Sequence, residues 1–286
     1  MTPAVLALIA LAAVAHATWN VAVKRAGTSG AGFLWAGMLV GAVVFAPFGI
    51  ASLVAEGTDL WRWLPLAAVS GALQVVYFLV LQRGYRLADV SIVYPLARGS
   101  GPLLAVVLAI VVLGERPGWL ALVGAAVIVA GVMVIGFAGG VARASDSRTG
   151  ILYGLLVGVL IAIYTLWDGS AVTVGGMPPV GLYWGSIVFQ LVLLAAPALR
   201  RGRETLAVAR RHWVTVLLFG ILSPLAYILV LLAMQIAPVS IVAPGREVSV
   251  VLVGLAGWLL FREPHPVQRL IGAGVVLAGV ALLSVS

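Results

Sequence analysis

Ten apolar segments, each about as long as a bilayer is thick, follow one another along this 286-residue chain. A helix needs roughly 20 apolar residues to cross the hydrocarbon core of a membrane. Hydrophobic residues make up 63% of the sequence and charged residues only 9%, which is too little charge to cover the surface of a soluble domain. The pattern predicts an all-α, multi-pass protein of the cell inner membrane with ten transmembrane helices. The segments fall at about 3–23, 31–54, 63–86, 90–112, 117–138, 150–171, 179–199, 212–234, 238–260 and 265–285.

The few charged residues also exclude several classes of protein. The net charge of +8 comes from Lys and Arg gathered in short connections, as is typical next to a lipid bilayer, so it does not predict binding to nucleic acid. Because the chain has no cysteine, a disulfide framework and thiolate metal sites are excluded, and we expect neither a metal ion nor a cofactor. An intramembrane enzyme would need clustered histidines or paired acids. Three histidines and nine acids are scattered along the chain, so we do not expect an enzyme.

The two halves of the chain resemble each other at an offset of about 148–149 residues. Val90-Ser91-Ile92-Val93 followed by Pro95 recurs as Val239-Ser240-Ile241-Val242 followed by Pro244. The polar stretch from Arg143 to Arg148 separates two predicted five-helix repeats, at residues 1–142 and 149–286. Three further matches pair Gly124 and Gly131 with Gly272 and Gly279, Glu115-Arg116-Pro117 with Glu263-Pro264, and the segment 16–20 with the segment 164–168.

An odd number of helices in each repeat has a consequence for topology. The second repeat must be inserted upside down relative to the first, which gives two inverted repeats around a central cavity. That arrangement is typical of secondary transporters, in which two repeats that exchange conformations give alternating access to a midplane site. No Walker motif is present, so ATP is not expected as a direct energy source.

The repeated segments also resemble a known family. The stretch Leu87–Leu96, the Glu115-Arg116-Pro117 turn and the helix with Gly124 and Gly131 resemble the EamA module of the ten-helix branch of the drug/metabolite transporter superfamily. The second half is similar more loosely, through Ala237–Pro244, Glu263-Pro264 and Gly272 with Gly279. The resemblance implies an exporter of a small polar or aromatic metabolite, such as an amino acid. A lipid-linked sugar flippase or accessory subunit of the same superfamily is the alternative, and a wide lateral opening would favour it.

Two arguments about orientation disagree. Nearly all Lys and Arg residues lie in connections after odd-numbered segments, and the positive-inside rule then places those connections in the cytoplasm and both termini outside. The family resemblance implies both termini in the cytoplasm. A monomer satisfies the predicted architecture, although the sequence leaves both the orientation and the oligomeric state open.

Polar side chains inside spans are costly, so each one is a candidate functional group. A site on the pseudo-twofold axis should draw on both repeats, and Tyr and Trp with a few polar groups suit an organic ligand. We expect segments 1, 3, 4, 6, 8 and 9 to surround the cavity, with Trp19, Tyr94, Trp167 and Tyr227 facing it. The predicted substrate-binding residues are Trp19, Asn20, Gln74, Tyr77, Phe78, Tyr94, Arg98, Tyr164, Trp167, Asp168, Tyr227, Arg246 and Glu247. The candidate proton-linked groups are His16, Asp168 and Glu247; His16 is equally well explained as a packed, hydrogen-bonded histidine.

Arg98 and Glu247 occupy matching positions with opposite charge, so we expect them to lie near each other. They could form a fixed ion pair between the repeats or contact the substrate directly. Arg246 should point in a different direction from its neighbour on a regular helix. Pro95 and Pro244 predict irregular or kinked turns at the start of both helices.

Other conspicuous residues have structural interpretations. The four paired glycines are expected to allow close helix packing. Glu115 and Glu263 precede the prolines that begin segments 5 and 10, so we interpret them as partners of those helix N-termini. Most of the remaining tryptophans are expected to anchor span ends at the membrane interface, namely Trp35, Trp61, Trp63, Trp119, Trp184, Trp213 and Trp258.

Overall fold

Thirteen helices make up the computed structural model of the chain, which describes residues 1–27, 30–137, 147–262 and 265–285. Nine helical segments among these residues are long and apolar enough to cross a bilayer. The seventh span is formed by a shorter apolar helix, Pro179–Leu193, which a second helix continues to Arg200. The helices are α1 Pro3–Ala26, α2 Ala31–Ala55, α3 Leu60–Leu87, α4 Val90–Val112, α5 Trp119–Gly136, α6 Ser147–Thr173, α7 Pro179–Leu193, α8 Ala195–Arg200, α9 Gly202–Arg211, α10 Trp213–Ile236, α11 Val239–Gly245, α12 Val248–Phe261 and α13 Pro266–Ser284.

Local capping residues explain where several spans begin. Asp59 accepts a hydrogen bond from the backbone N–H of Trp61 at the start of α3, and Asp89 accepts one from Ser91 at the start of α4. Short acceptors at this position satisfy N–H groups that lack a partner inside the helix. The Ser91 N–H also lowers the pKa of the Asp89 carboxyl, which therefore stays ionised beside the positive end of α4.

The last helices of the two repeats, α5 and α13, cross through their glycines. A Cβ atom added to Gly124 would lie 2.9 Å from the carbonyl oxygen of Gly279, and one added to Gly131 would lie 2.8 Å from that of Gly272. Gly124, the earlier of the two in α5, meets Gly279, the later of the two in α13, and Gly131 meets Gly272. The two equivalent helices therefore run antiparallel. Antiparallel equivalents are what inverted repeats require, and the predicted packing role of these glycines is confirmed.

A second pair of crossings obeys the same symmetry. A Cβ on Gly71 in α3 would lie 2.8 Å from the carbonyl oxygen of Ser186 in α7, and a Cβ on Gly220 in α10 would lie 2.5 Å from that of Gly37 in α2. Gly71 and Gly220 are 149 residues apart, and so are Gly37 and Ser186. The contact between α3 and α7 is therefore repeated between α2 and α10 by the pseudo-twofold axis.

The ninth span is broken, whereas the fourth is not. The helix α11 ends at Gly245 and α12 begins at Val248, while α4 continues through both Pro95 and Pro102. The prediction of irregular or kinked turns is thus confirmed for the ninth span, whereas the fourth span continues as one helix through its prolines. Leu96 follows the proline in α4, and glycine, a much poorer helix former, follows it in α11.

Glu115 joins the two repeats. Its Oε1 accepts a hydrogen bond of 2.8 Å from the backbone N–H of Val239, and its Oε2 accepts one of 2.9 Å from Ser240. Glu115 therefore caps α11 in the other repeat, where Pro238 offers no side-chain acceptor, and the prediction that it serves α5 is wrong. The equivalent Glu263-Pro264 lies outside the described residues, as does most of the predicted linker, residues 143–146.

We predict that Glu115→Ala loosens the membrane face that carries this contact, because the change leaves two N–H groups of α11 without an acceptor. Loss of a cap costs about 0.5–2 kcal/mol. The chain has no cysteine, so Met177→Cys, a buried position in the connection after α6 on this face, provides a single labelling site. Maleimide labelling of Met177→Cys in detergent should be faster when Glu115→Ala is also present.

The matched control is Asp59→Ala. Asp59 also caps a helix on this face, but its hydrogen bond stays within the first repeat. Equal acceleration of labelling by both variants would show that Glu115 contributes only a cap and does not hold the repeats together.

Candidate substrate-binding cavity

A central cavity of about 450 Å³ lies between the two repeats. Its lining extends to Gly30 and Tyr85, which adjoin the connections α1–α2 and α3–α4, so it approaches the face that carries the connections after odd-numbered spans. The expected helices line it, but α2 and α7 contribute as well, through residues such as Phe33 and Gln190. None of its lining residues belongs to α5 or α13.

Most of the predicted binding residues lie on the cavity wall. Asp168 and Glu247 are not part of the lining and lie behind residues that are. Trp167 does not line the cavity either, because its indole N–H donates to the backbone carbonyl of Leu66 in α3 at 3.1 Å. The residues that do line the cavity are His16, Trp19, Asn20, Gln74, Tyr77, Phe78, Tyr94, Arg98, Tyr164, Tyr227 and Arg246.

The incorrect prediction for Trp167 follows from a register error of one residue. Arg98 and Glu247 are 149 residues apart, and the same offset pairs Trp19 with Asp168, not with Trp167. One residue rotates a side chain by about 100° around a helix. Trp167 therefore points toward the neighbouring helix, and Asp168 points inward.

Arg98, Arg246 and Glu247 form a charged cluster at the centre of the molecule. Arg98 Nε lies 3.2 Å from Glu247 Oε2, which confirms the predicted proximity, and Arg98 Nη2 donates to Ser249 Oγ at 3.2 Å. Arg246 Nε lies 3.6 Å from Glu247 Oε1, so the expectation that Arg246 points away from its neighbour is wrong. The interruption between α11 and α12 removes the regular helical spacing that would separate the two side chains.

The cluster has unused hydrogen-bonding capacity. The Glu247 side chain is 1% exposed, and those of Arg98 and Arg246 are 18% and 10% exposed. Neither Nε nor Nη2 of Arg246 has an aligned hydrogen-bond partner, although both atoms are buried. Two guanidinium groups thus share one carboxylate, and the cluster carries one excess positive charge beside the cavity.

A second polar group surrounds Asp168, which is 0% exposed. Asp168 Oδ2 accepts a hydrogen bond of 2.8 Å from the Tyr227 hydroxyl and one of 3.3 Å from Gln74 Nε2, whereas Oδ1 has no partner. The Gln74 Oε1 atom in turn accepts hydrogen bonds from Tyr183 and Gln190. The network therefore connects α3, α6, α7 and α10.

Aromatic rings cover much of the wall between these polar groups. The ring centroids of Tyr77 and Tyr164 are 5.5 Å apart, those of Tyr164 and Tyr227 are 6.0 Å apart, and those of Tyr183 and Tyr227 are 4.7 Å apart. These distances are in the favourable range for aromatic pairs, so the wall is preorganised.

On the opposite side, α1 contributes an aromatic group with a free donor. Trp19 contacts His16 and Phe219 edge to face, at centroid distances of 5.1 and 5.2 Å, and its buried indole N–H has no hydrogen-bond partner. Asn20 donates to the His16 backbone carbonyl at 2.8 Å, so part of its polar capacity is used inside α1.

Comparison with known proteins identifies the family. The model of the EamA-like transporter family matches residues 3–137 and 148–285. The chain belongs to this family. A curated relative from Streptantibioticus cattleyicolor, "Probable terminal-alkyne amino-acid exporter", is 32% identical over 235 residues, which cover 78% of this chain and 74% of that protein. A solved crystal structure with 19% sequence identity has a TM-score of 0.77 over 100% of this chain and 98% of its own, which supports the fold.

The EamA-like transporter is closed on the face opposite the cavity mouth. Trp63 and Trp184 stack there with centroids 6.1 Å apart, and their indole N–H groups donate to the carbonyls of Gly181 and Ala42. Trp35, which lies near the start of α2 and not on the closed face, donates its indole N–H to the carbonyl of Leu191. These three tryptophans therefore also join helices within the protein, whereas the strongly exposed Trp61, Trp119 and Trp213 lie at helix N-termini as expected of anchors.

Several lining residues had not been predicted, for different reasons. Tyr183 and Gln190 are seven residues apart and share one face of α7, a spacing that could have indicated them. Helical periodicity does not indicate Ser249 as a lining residue, because it follows the interruption between α11 and α12. Phe33 and Phe219 look like lipid-facing residues in the sequence.

We predict that Glu247→Ala destabilises the transporter more than Arg98→Ala does. The first change leaves two buried cations without a counter-charge, whereas the second leaves Arg246 paired with Glu247. Removal of one partner from a buried pair typically costs about 3–5 kcal/mol. Thermal unfolding in detergent measures the difference, with Arg98→Lys as the charge-conserving control. Equal unfolding temperatures for the two alanine variants would contradict the shared-carboxylate geometry.

Proposed function

We propose that the protein is a secondary exporter in the cell inner membrane that carries a zwitterionic amino acid by alternating access of its two inverted repeats. The amino acid binds in the central cavity, and its carboxylate contacts Arg98 and Arg246. The relative from Streptantibioticus cattleyicolor is named as a probable amino-acid exporter, which supports both the substrate class and the direction.

The observation that carries this proposal is the excess positive charge beside the cavity, where Arg98 and Arg246 share the single carboxylate of Glu247. Arg98 and Arg246 both line the cavity, and a carboxylate bound there would neutralise the excess positive charge of the cluster. Guanidinium–carboxylate pairs are among the strongest polar contacts in proteins because both partners are charged and their geometries match. A ligand without an anionic group would leave this charge uncompensated.

The aromatic wall suits the rest of such a ligand. Tyr77, Tyr164 and Phe78 offer flat apolar surface next to hydroxyl groups. An amino acid with an apolar or unsaturated side chain would bury that side chain there without stranding a polar group. The substrate named for the relative, a terminal-alkyne amino acid, has this character.

Alternating access finds support in the paired contacts of the two repeats. The Trp63–Trp184 stack and the Glu115 contact with α11 hold one face together, while the cavity approaches the other. Exchange of the conformations of the two repeats would open the first face and close the second, as in other transporters with inverted repeats.

To test the substrate class, we would reconstitute the protein in liposomes and measure counterflow of amino acids. Arg246→Ala should weaken amino-acid binding roughly 10- to 100-fold, since it removes a charge-assisted hydrogen bond to the carboxylate. The matched control is Arg62→Ala, because Arg62 is an exposed arginine at the closed face. Decarboxylated analogues should not compete with the amino acid. Effective competition by such amines, or no counterflow with any amino acid, would overturn the proposal.

The charge distribution leads to a separate prediction about orientation. We expect the connections after odd-numbered spans, and therefore the cavity mouth, to face the cytoplasm, because these connections carry most of the Lys and Arg residues. Reporter fusions at the C-terminus check this: alkaline phosphatase, which is active only outside the cytoplasm, should be active and green fluorescent protein should not fluoresce. The reverse result would place the mouth outside and would mean that this state releases substrate.

A further inference from the structure

We infer that Asp168 is a proton-binding site and that its proton competes with the ammonium group of the substrate through the hydroxyl of Tyr227. The inference rests on the proposed function for the identity of the substrate. It makes the protein an antiporter in which a proton entering the site displaces the amino acid.

The position of Asp168 is the first argument. The side chain is fully buried, yet both donors that hold it, Tyr227 and Gln74, lie on the cavity wall. A single side chain therefore separates the carboxyl from the space that the substrate would occupy. Such a group can respond to the cavity contents without being part of its surface.

The second argument concerns charge. Among the described residues, no Lys, Arg or His forms an ion pair with Asp168, in contrast to Glu247, which has two arginines. The direct hydrogen bonds to this carboxylate come from neutral donors, one of its oxygens has none, and the charge of Arg246 acts on it only without direct contact. A buried, incompletely satisfied charge is costly, so uptake of a proton or the approach of a cation stabilises the site.

The hydroxyl of Tyr227 links these two alternatives. When Asp168 is ionised, the hydroxyl must donate to it, and the phenolic oxygen keeps a lone pair that can accept a hydrogen bond from the cavity. A substrate ammonium group, which is only a donor, fits this state. When a proton occupies Oδ2, the Asp168 O–H donates to the phenolic oxygen and the tyrosine hydrogen turns toward the cavity. Two donors then face each other, and the ammonium group loses its partner.

The other groups around Asp168 do not replace it in this role. From the helices packed around it, Ser70 and Gln74 on α3, Tyr183 on α7, Tyr227 on α10 and Arg246 at the α11–α12 interruption face the carboxyl, and Tyr164 lies one turn earlier on α6. Tyrosines ordinarily titrate near pH 10 and arginines above 12, so neither changes charge near neutral pH. His16 on α1 lines the cavity and is the competing candidate.

The exchange conserves charge and protons. A proton from water in the cavity moves to Asp168, whose charge becomes neutral, and the zwitterion leaves with no net charge. After the site has turned to the other side of the membrane, the proton returns to water there and the ionised carboxylate again favours a zwitterion. One proton thus crosses in the direction opposite to one amino acid.

The test compares the pH dependence of amino-acid binding in the purified parent protein and in Asp168→Asn. In the parent, affinity should fall about tenfold between about pH 8 and about pH 5, which corresponds to loss of one charge-assisted hydrogen bond. In Asp168→Asn, binding should be weak and independent of pH. In liposomes, this variant should retain amino-acid counterflow and lose accumulation driven by a pH gradient.

Two further variants separate the alternatives. Tyr227→Phe removes the link but keeps the carboxyl, so binding should be weak and independent of pH there too. His16→Gln should keep the pH dependence of the parent. Persistent pH dependence in Asp168→Asn or Tyr227→Phe, or its loss in His16→Gln, would overturn the inference.

A measurement without substrate can test the proton-binding role of Asp168 separately from the proposed function. Infrared difference spectra of the parent between the same pH values should contain the carbonyl band of a protonated carboxyl, and the band should be missing in Asp168→Asn. Absence of the band in the parent overturns the inference whatever the cavity binds. Presence of the band together with no binding of any amino acid would refute only the proposed substrate.

Discussion

The contact between Arg98 and Glu247 constrains the rest of the structure. The two residues are equivalent in the two repeats, and equivalent residues can touch only where they approach the pseudo-twofold axis. Their helices, α4 and the interrupted ninth span, must therefore cross at the centre of the molecule. A buried ion pair there costs desolvation energy, and it persists because each charge would be still less stable alone. The cavity lies beside this crossing, whereas α5 and α13 pack closely through their glycines and do not line it.

The interruption of the ninth span places two arginines next to one carboxylate at this crossing. A continuous helix would turn Arg246 and Glu247 to different sides, but the turn between α11 and α12 brings both arginines to one carboxylate. The resulting excess positive charge borders the cavity. The N-terminus of α11, just before this turn, is held by Glu115 from the other repeat. The capping contact of Glu115 thus links the closed face to the turn that carries the charged cluster.

Hydrophobic length and internal repetition can be read from the sequence, whereas most contacts between particular helices cannot. The number of spans, the glycine crossings and the proximity of Arg98 and Glu247 follow from hydrophobic length and internal repetition. The position of Trp167 is not predictable in this way, because the apparent match of Trp19 with Trp167 is one residue shorter than the offset of 149 that relates the two repeats here. Glu115 was assigned to its own helix because nothing local reveals an acceptor for a helix in the other repeat. The contribution of α2 was missed because Phe33 and Gly37 resemble lipid-facing residues when the neighbouring helices are unknown.

The backbone of the two repeats is symmetric, whereas the side chains at the cavity are not. At the offset of 149, Trp19 corresponds to Asp168, Phe78 to Tyr227 and Arg98 to Glu247. In the proposed transport cycle, backbone symmetry would make the two access states similar in energy, because the same helix crossings would be exchanged between the repeats. A zwitterion, however, has two different ends, and two identical half-sites could not distinguish them. Divergence at these few positions places a guanidinium cluster and an acidic network at separate places in one cavity. In the proposed function, the symmetric fold would supply the movement and the asymmetric side chains would supply the recognition of the substrate.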